Sequence, residues 1–523
     1  MKQIPRWKRF EVTLESERAY ELPVQRVQLR AEFRHEDGSA QLADGFWDGG
    51  RIWRIRFSPD RIGRWTFRTH SNDSGLNGRQ GSFDCVAYQG SNELYRRGAV
   101  RVAASGRHLE HADSIPFFWL ADTVWNGPLK ATPRDWNFFL RDRAAKRFNA
   151  IQFVPTQWVA GAGNADLRVA YVGIDEIRID PAFYQWLDSR IDAINDFGML
   201  AAPALIWSAP SKPWVRLNPG NTLPEDQILV LARYLVARYG AHHVAWMLAG
   251  DGDYRGAEAE RWKRIGRAVF EHQRSVVTMH PMGAIWVGEE FKDEPWFGFH
   301  GYQSSHYGSD DAMRWITKGP PSTEWRNGPP HPVINLEPCY EAHLDMCGAP
   351  ANGRRRFDEH AVRRACYWSV LAAPPAGVTY GAHGVWGWEL KRQLPMNHFA
   401  TGTAPTWREG MQLPGSGNMK VLRDFFESMP WWTLEPAPEM LAEQPGAGEA
   451  RRFISAARSE QENLAVFYVP EGGHLKLKPE WAGRFERGEW IHPETGEAAS
   501  FYPVEASLQA PAGKDWLLRL SSA

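Results

Sequence analysis

The segment His331-Pro332-Val333-Ile334-Asn335-Leu336-Glu337-Pro338-Cys339-Tyr340-Glu341 holds a short apolar run, Val333 to Leu336, that stops on a carboxylate and then on a proline. The run has the length and character of a buried strand, and Pro338, which has no N–H to donate, ends its ladder. A charged group at the end of a buried strand is costly unless it is paired or used. Barrels of parallel strands carry their chemistry at the carboxyl ends of those strands, so Glu337 is the candidate nucleophile.

Working outward, short apolar strands alternate with helical stretches from about residue 115, the pattern of parallel βα units. Eight strands are predicted, within Phe117 to Thr123, Ala150 to Val154, Met199 to Trp207, Val244 to Asp251, Ser275 to His280, Trp296 to His300, the Val333 segment and Gly377 to His383. Helices are predicted between them. In the one from Phe183 to Phe197, for example, Phe183, Trp186, Leu187, Ile191 and Ile194 fall close to helical spacing. The count and the length of about 300 residues match an α/β fold of the (β/α)8 barrel type.

The 523 residues exceed one ordinary core, and the flanks differ from the middle. Val24 to Phe33, Ile52 to Phe57 and Gly63 to Thr69 alternate with period two, with turn signals between, which predicts an N-terminal β-sandwich over residues 1–105. The barrel is then assigned 106–435. A small C-terminal β-sandwich is assigned 436–523, where Leu464 to Val469 and His474 to Lys478 read as a hairpin around Pro470-Glu471-Gly472-Gly473.

Acidic and basic residues nearly cancel, 62 against 61, so neither nucleic acid nor an anionic membrane surface is expected as a partner. No apolar run reaches membrane-spanning length, and Met1 to Phe10 lacks the apolar core of a signal peptide, which predicts a cytoplasmic protein. The four cysteines lack C-x-x-C spacing and predict free thiols. No metal and no cofactor is expected. The 26 tryptophans are the compositional outlier, and their flat apolar faces suit stacking on sugar rings, so a carbohydrate is the expected substrate. The oligomeric state is not encoded in any pattern found.

Polar residues at predicted strand ends give the site candidates. Asp251 ends the fourth strand and Glu337 the seventh, across the mouth from each other in an eight-stranded barrel. Retaining glycoside hydrolysis needs two carboxyl groups about 5 Å apart, a nucleophile and an acid/base that holds its proton near neutral pH. Asp253 rivals Asp251. Asp122, Gln152, His280, Tyr302 and His383 are candidate substrate contacts, with Tyr302 placed to hold the nucleophile through its hydroxyl. Trp125, Trp158, Trp207, Trp286, Trp386 and Trp388 are candidate walls of a sugar pocket. Two other readings compete: a non-catalytic carbohydrate-binding protein, and a metal-dependent hydrolase. The second needs clustered ligands such as a histidine pair after the first strand, where only Asp122 stands.

Phe117 to Trp125, Ala249-Gly250-Asp251 and Asn335-Leu336-Glu337-Pro338 resemble the apiosidase-like glycoside hydrolases, family 140. Gly45-Phe46-Trp47-Asp48-Gly49, Arg56-Phe57-Ser58-Pro59 and Gly63-Arg64-Trp65 resemble the β-sandwich that precedes such barrels. Trp490 to Gly496 resembles the small C-terminal sandwich of collagen-binding type, which by itself says nothing about collagen. The resemblance implies a retaining, exo-acting glycoside hydrolase with Asp251 as acid/base and Glu337 as nucleophile. It further implies removal of a terminal sugar, apiose or another pentofuranose, from a plant-derived oligosaccharide or glycoside. Larger relatives of this barrel have Asn-Glu where this chain has Gly250-Asp251, so sugar recognition there is expected to differ. Without a leader, a short imported glycoside is favoured over a polymer.

Overall fold

A computed structural model describes residues 2–210, 213–347 and 354–522. Its centre is a sheet of eight parallel strands: β1 (Trp119–Thr123), β2 (Ala150–Phe153), β3 (Leu200–Trp207), β4 (Trp246–Gly252), β5 (Val277–Pro281), β6 (His300–Gln303), β7 (Val333–Glu337) and β8 (Gly377–Gly381). The order β5-β4-β3-β2-β1-β8-β7-β6 puts the first strand beside the last and curls the sheet into a nearly closed barrel. Its seam lies between β5 and β6. There the Gly298 N–H donates to the Val277 carbonyl at 2.8 Å. The Thr278 hydroxyl donates to the Phe299 carbonyl at 2.6 Å and accepts from the Gly301 N–H at 2.9 Å, so one side chain stands in for missing ladder bonds.

Helices α1 (Pro133–Ala145), α2 (Pro181–Asp196), α3 (Glu225–Tyr239), α4 (Ala257–Val269), α5 (Gly288–Phe291), α6 (Asp310–Lys318), α7 (Glu359–Ala372) and α8 (Pro414–Glu427) follow the strands in turn. Thr132, Asp180, Ser309 and Asp358 accept first-turn N–H groups at the starts of α1, α2, α6 and α7. Period-two alternation sorts the strand residues. Ile334 and Leu336 join Trp119, Ala121, Ala202 and Met247 in the barrel interior. Leu120, Ile151, Leu248 and Val378 face the helices. Val100, Leu109 and Phe117, from a three-stranded antiparallel sheet over residues 100–117, belong to the same inner cluster as Trp119 and Phe299. The hairpin joining Val100–Val102 to Leu109–His111 therefore runs across the boundary expected at residue 105.

Two details depart from the sequence reading. The sixth strand is His300–Gln303, not the aromatic run Trp296 to Phe299, which leads into it. Leu464–Val469 and His474–Lys476 do not form a hairpin. The first pairs with Ser455–Ser459 and Trp516–Ser521 in a six-stranded sheet, whereas the second pairs with Ser507–Gln509 in a separate ribbon. Gly472 and Gly473, at φ 62° and 85°, turn the chain out of the first sheet. Leu475 then packs with Phe467 and Leu518 in the core of the C-terminal unit.

The N-terminal unit is one seven-stranded sheet folded along its longest strand, Ala40–Gly49. Ala40 to Asp44 pairs with Leu29–His35, and Gly45 to Gly49 pairs with Ile52–Phe57. The fold brings Phe10 onto Phe83 at 4.3 Å and Phe33 onto Phe57 at 4.0 Å between ring centroids. Buried arginines dock both flanking units. Arg56 of the N-terminal sheet and Arg238 of α3 both bind Asp188 of α2, at 2.7 Å each, and Arg238 also reaches Asp48 at 2.9 Å. Burial alone would raise the Asp188 carboxyl, but the two guanidinium groups hold it at about 2. Arg363 of α7 grips Asp515 of the C-terminal unit at 2.7 and 2.8 Å, and the Tyr468 hydroxyl donates to the same carboxylate at 2.8 Å.

Among the described residues, no helix is long and apolar enough to cross a membrane, and the four cysteines are free. Replacing Arg363 by Ala leaves the carboxylate of Asp515, only 2% exposed, without its charged partner. Loss of one member of a buried pair costs about 3–5 kcal/mol, so R363A is expected to show a correspondingly lower urea midpoint than the parent.

Candidate active site

The end of β7 is irregular. Pairing with β6 passes from Tyr302–Asn335 to Gln303–Glu337, so Leu336 is an extra residue in a β-bulge. Its carbonyl accepts from the Gln152 amide at 3.0 Å. The Gln152 oxygen accepts from the Thr379 hydroxyl at 2.9 Å, and that hydroxyl accepts from the Trp119 indole at 3.0 Å. A hydrogen-bonded chain thus crosses the barrel interior from β1 to the residue before Glu337. On the outer face, Asn335 donates to the Ser304 and Ser369 hydroxyls at 2.8 and 2.9 Å and accepts from the Glu337 N–H at 3.1 Å.

Glu337 is 7% exposed. His306 Nε2 lies 2.9 Å from its Oε1. His306 Nδ1 accepts from the Tyr340 N–H at 3.3 Å, which puts the imidazole proton on Nε2, facing the carboxylate. His280 Nε2 stands 3.3 Å from Oε2, off the hydrogen-bonding axis. Burial alone would raise this carboxyl; the two histidines outweigh it and hold Glu337 at about 2.

Asp251 sits at the matching irregularity on β4. Pairing with β5 jumps from Met247–Thr278 to Gly250–His280 and then to Gly252–Pro281, leaving Asp251 as the extra residue. Its φ of 58° is in the left-handed region, which costs a non-glycine residue about 1–2 kcal/mol. The backbone therefore aims this side chain at some cost in strain. Burial pushes the Asp251 carboxyl up, the charge of Glu337 adds to the rise, and His280 and a 3.4 Å bond from Gln303 only partly offset it, leaving Asp251 at about 7.

Aromatic rings surround this pair. The Trp207 ring lies 5.0 Å from Trp125 and 4.7 Å from Trp158, and His280 packs 5.3 Å from Trp125. His398 bridges Trp158 and Trp386 at 6.0 and 5.3 Å. A Cβ at Gly250 would overlap the Trp207 ring, so no larger residue fits before Asp251 without moving that wall.

A family model described as the catalytic domain of the apiosidase-like proteins matches residues 103–433. The chain belongs to the apiosidase-like family. A second model, a domain of unknown function (DUF5060), matches residues 3–72. No curated protein matches the chain. Among solved structures, a glycoside hydrolase family 5 protein from Bacteroides vulgatus aligns at TM-score 0.70 and 21% identity, over 82% of this chain and 94% of its own. Another Bacteroides vulgatus protein, described as a glycoside hydrolase, aligns at TM-score 0.71 and 19% identity over the full length of both chains. At such identities the likeness is one of fold.

Not every predicted contact of this apiosidase-like chain reaches the mouth. Asp122 is fully buried on the outer face of β1, in an ion pair with Arg143 of α1. Tyr302 also points outward, among Trp286, Trp315 and Val333, because the strand begins at His300 and its alternation turns Gly301 and Gln303 inward. Trp286 packs on His300, and Trp388 stacks on Trp407 at 4.3 Å, so both are structural. Asp253 is held at the surface by Arg255 through two 2.7 Å bonds. Gln152 lies below the mouth in the interior network. His383 is spent on Gly402 and Trp386, at 2.9 and 3.2 Å. Among the described residues, no group of three or more His, Cys, Asp or Glu side chains is arranged to hold a metal ion.

Sequence reading missed Gln303, His306, Tyr340 and His398. Correct placement of β6 would have exposed Gln303 by alternation, and no local pattern marks the other three. Because Glu337 contributes to the raised pKa of Asp251, E337Q should lower it by about one unit. A carbon-13 NMR titration of the Asp251 carboxyl checks this, with the parent expected to titrate near 7.

Proposed function

We propose that the protein is a retaining, exo-acting glycoside hydrolase that removes a terminal sugar, apiose or another pentofuranose, from a plant-derived oligosaccharide or glycoside. The observation that carries this reading is the opposite displacement of two neighbouring carboxyl groups, Asp251 to about 7 and Glu337 to about 2. One is therefore a proton donor near neutral pH and the other a charged nucleophile, the division of labour that double displacement at an anomeric carbon requires. The apiosidase-like family and the glycoside-hydrolase-like fold support a glycosidase.

In this reading Glu337 attacks the anomeric carbon while the Asp251 carboxyl gives its proton to the departing glycosidic oxygen. The resulting Asp251 carboxylate then takes a proton from water, and the hydroxide equivalent displaces Glu337, which regenerates both groups. The enclosure of the site supports exo action, since Trp125, Trp207 and Trp386 are each no more than 4% exposed. Gly250 supports a recognition of the sugar in which the Trp207 ring takes the space of a polar side chain.

On an aryl glycoside of the correct sugar, E337Q is expected to lose about four orders of magnitude or more in kcat. Normal turnover would remove Glu337 from the mechanism. The active form needs Asp251 protonated, so kcat/KM should fall as pH rises through about 7. Early proton NMR of the product should show the anomer of the substrate; the opposite anomer would mean inversion.

A further inference from the structure

The position and charge of Glu337 depend on a side chain outside the strand ends, His306 in the loop after β6. Its ring contacts two others, with Tyr340 tilted against it at 4.5 Å and His343 stacked on it at 4.4 Å, 20° from parallel. Ser305, at φ 78°, turns the chain immediately before it. The ring edges are committed in opposite senses, Nδ1 to the Tyr340 N–H at 3.3 Å and Nε2 to Glu337 Oε1 at 2.9 Å. Tyr340 is three residues after Glu337, so the segment that ends in the carboxylate also selects the tautomer of the histidine that binds it.

We propose that His306 is a positioning residue for Glu337: its backbone-selected Nε2–H holds Oε1 and leaves Oε2, touched only off-axis by His280, to meet the anomeric carbon. The kinetic part rests on the glycosidase reading; the structural part rests on geometry alone. The titratable groups around the pair are Asp251 from β4, His280 from β5, Tyr340 and His343 from the loop after β7, and His383 and His398 after β8. Burial lowers His343, His383 and His398, the second to about 4. Arg356 acts on His383 from further out.

Two substitutions separate donation from packing. His306→Gln can present an amide N–H near the place of Nε2. His306→Asn is polar too, but too short to reach Oε1. Carbon-13 NMR titration of the Glu337 carboxyl, assigned by its loss in Glu337→Gln, should show H306N raised by about one to two pH units and H306Q close to the parent. On an aryl glycoside, H306N should lose about 10- to 100-fold in kcat/KM, and H306Q should recover most of it. Thermal melting of both variants confirms that folded protein is compared. An unmoved Glu337 titration in H306N, or equal shifts in both variants, overturns the proposal. A parent that hydrolyses no glycoside overturns the glycosidase reading, while the NMR titration still decides the role of His306. A parent that hydrolyses glycosides with an unmoved titration in H306N overturns the positioning role alone.

Discussion

A carboxylate at the end of an apolar strand has to be stabilised from the side, and much of this molecule is arranged around that need at Glu337. The charge is buried, so each donor that reaches it acts in a medium that screens weakly. His306 supplies one aligned donor, and His280 brings a second imidazole edge to 3.3 Å. Neither would find the carboxylate if β7 ended as a regular ladder. The bulge at Leu336 turns the chain, and the freed Leu336 carbonyl is satisfied by Gln152 instead of by β6. Asn335 ties the same turn to Ser369 of α7. That helix also carries Arg363, which grips Asp515, so the docking of the C-terminal unit reaches β7 through one helix.

Burial acts on Asp251 and Glu337 in the same direction, and yet one carboxyl is raised and the other lowered. The difference lies in the neighbours. Glu337 has two imidazoles; Asp251 has a long bond from Gln303 and a neighbour of its own sign. Once Glu337 is held ionised, its field helps to keep the proton on Asp251, so the donors around one group set the state of both. His280 is the shared element, since it lowers Glu337 by contact and opposes the rise of Asp251.

The barrel was legible because strands buried on both faces are written as short apolar runs separated by helical periodicity. Both central carboxylates were legible for a related reason, since a charge that interrupts such a run is conspicuous. Orientation was less so. Asp122 also interrupts a run, but it looks outward to Arg143, an ion pair across 21 residues that no local pattern encodes. Tyr302 failed because the aromatics before His300 imitate the strand and put Tyr302 past its end, whereas it lies within His300–Gln303 and faces outward. The C-terminal hairpin failed because two adjacent strands with a glycine turn between them can equally belong to two sheets. His306 and Tyr340 were hidden because their roles depend on a ring edge meeting a backbone N–H from another loop.

The two bulges explain how the two carboxylates are aimed, which sequence could not show. A regular β4 would send alternate side chains inward and outward and leave Asp251 no freedom of aim. The left-handed residue at φ 58° breaks that alternation. Gly250 before it is required by the Trp207 ring, and Gly252 after it by the close Tyr254 ring, so the strained residue is bracketed by two positions that admit no side chain. Strain of about 1–2 kcal/mol persists only where the surroundings over-determine it, and here two aromatic walls do so. One of the tryptophans that made the composition unusual therefore has a structural duty here. Trp207 fixes the backbone that presents Asp251, and its own buried indole N–H has no hydrogen-bond partner among the described residues.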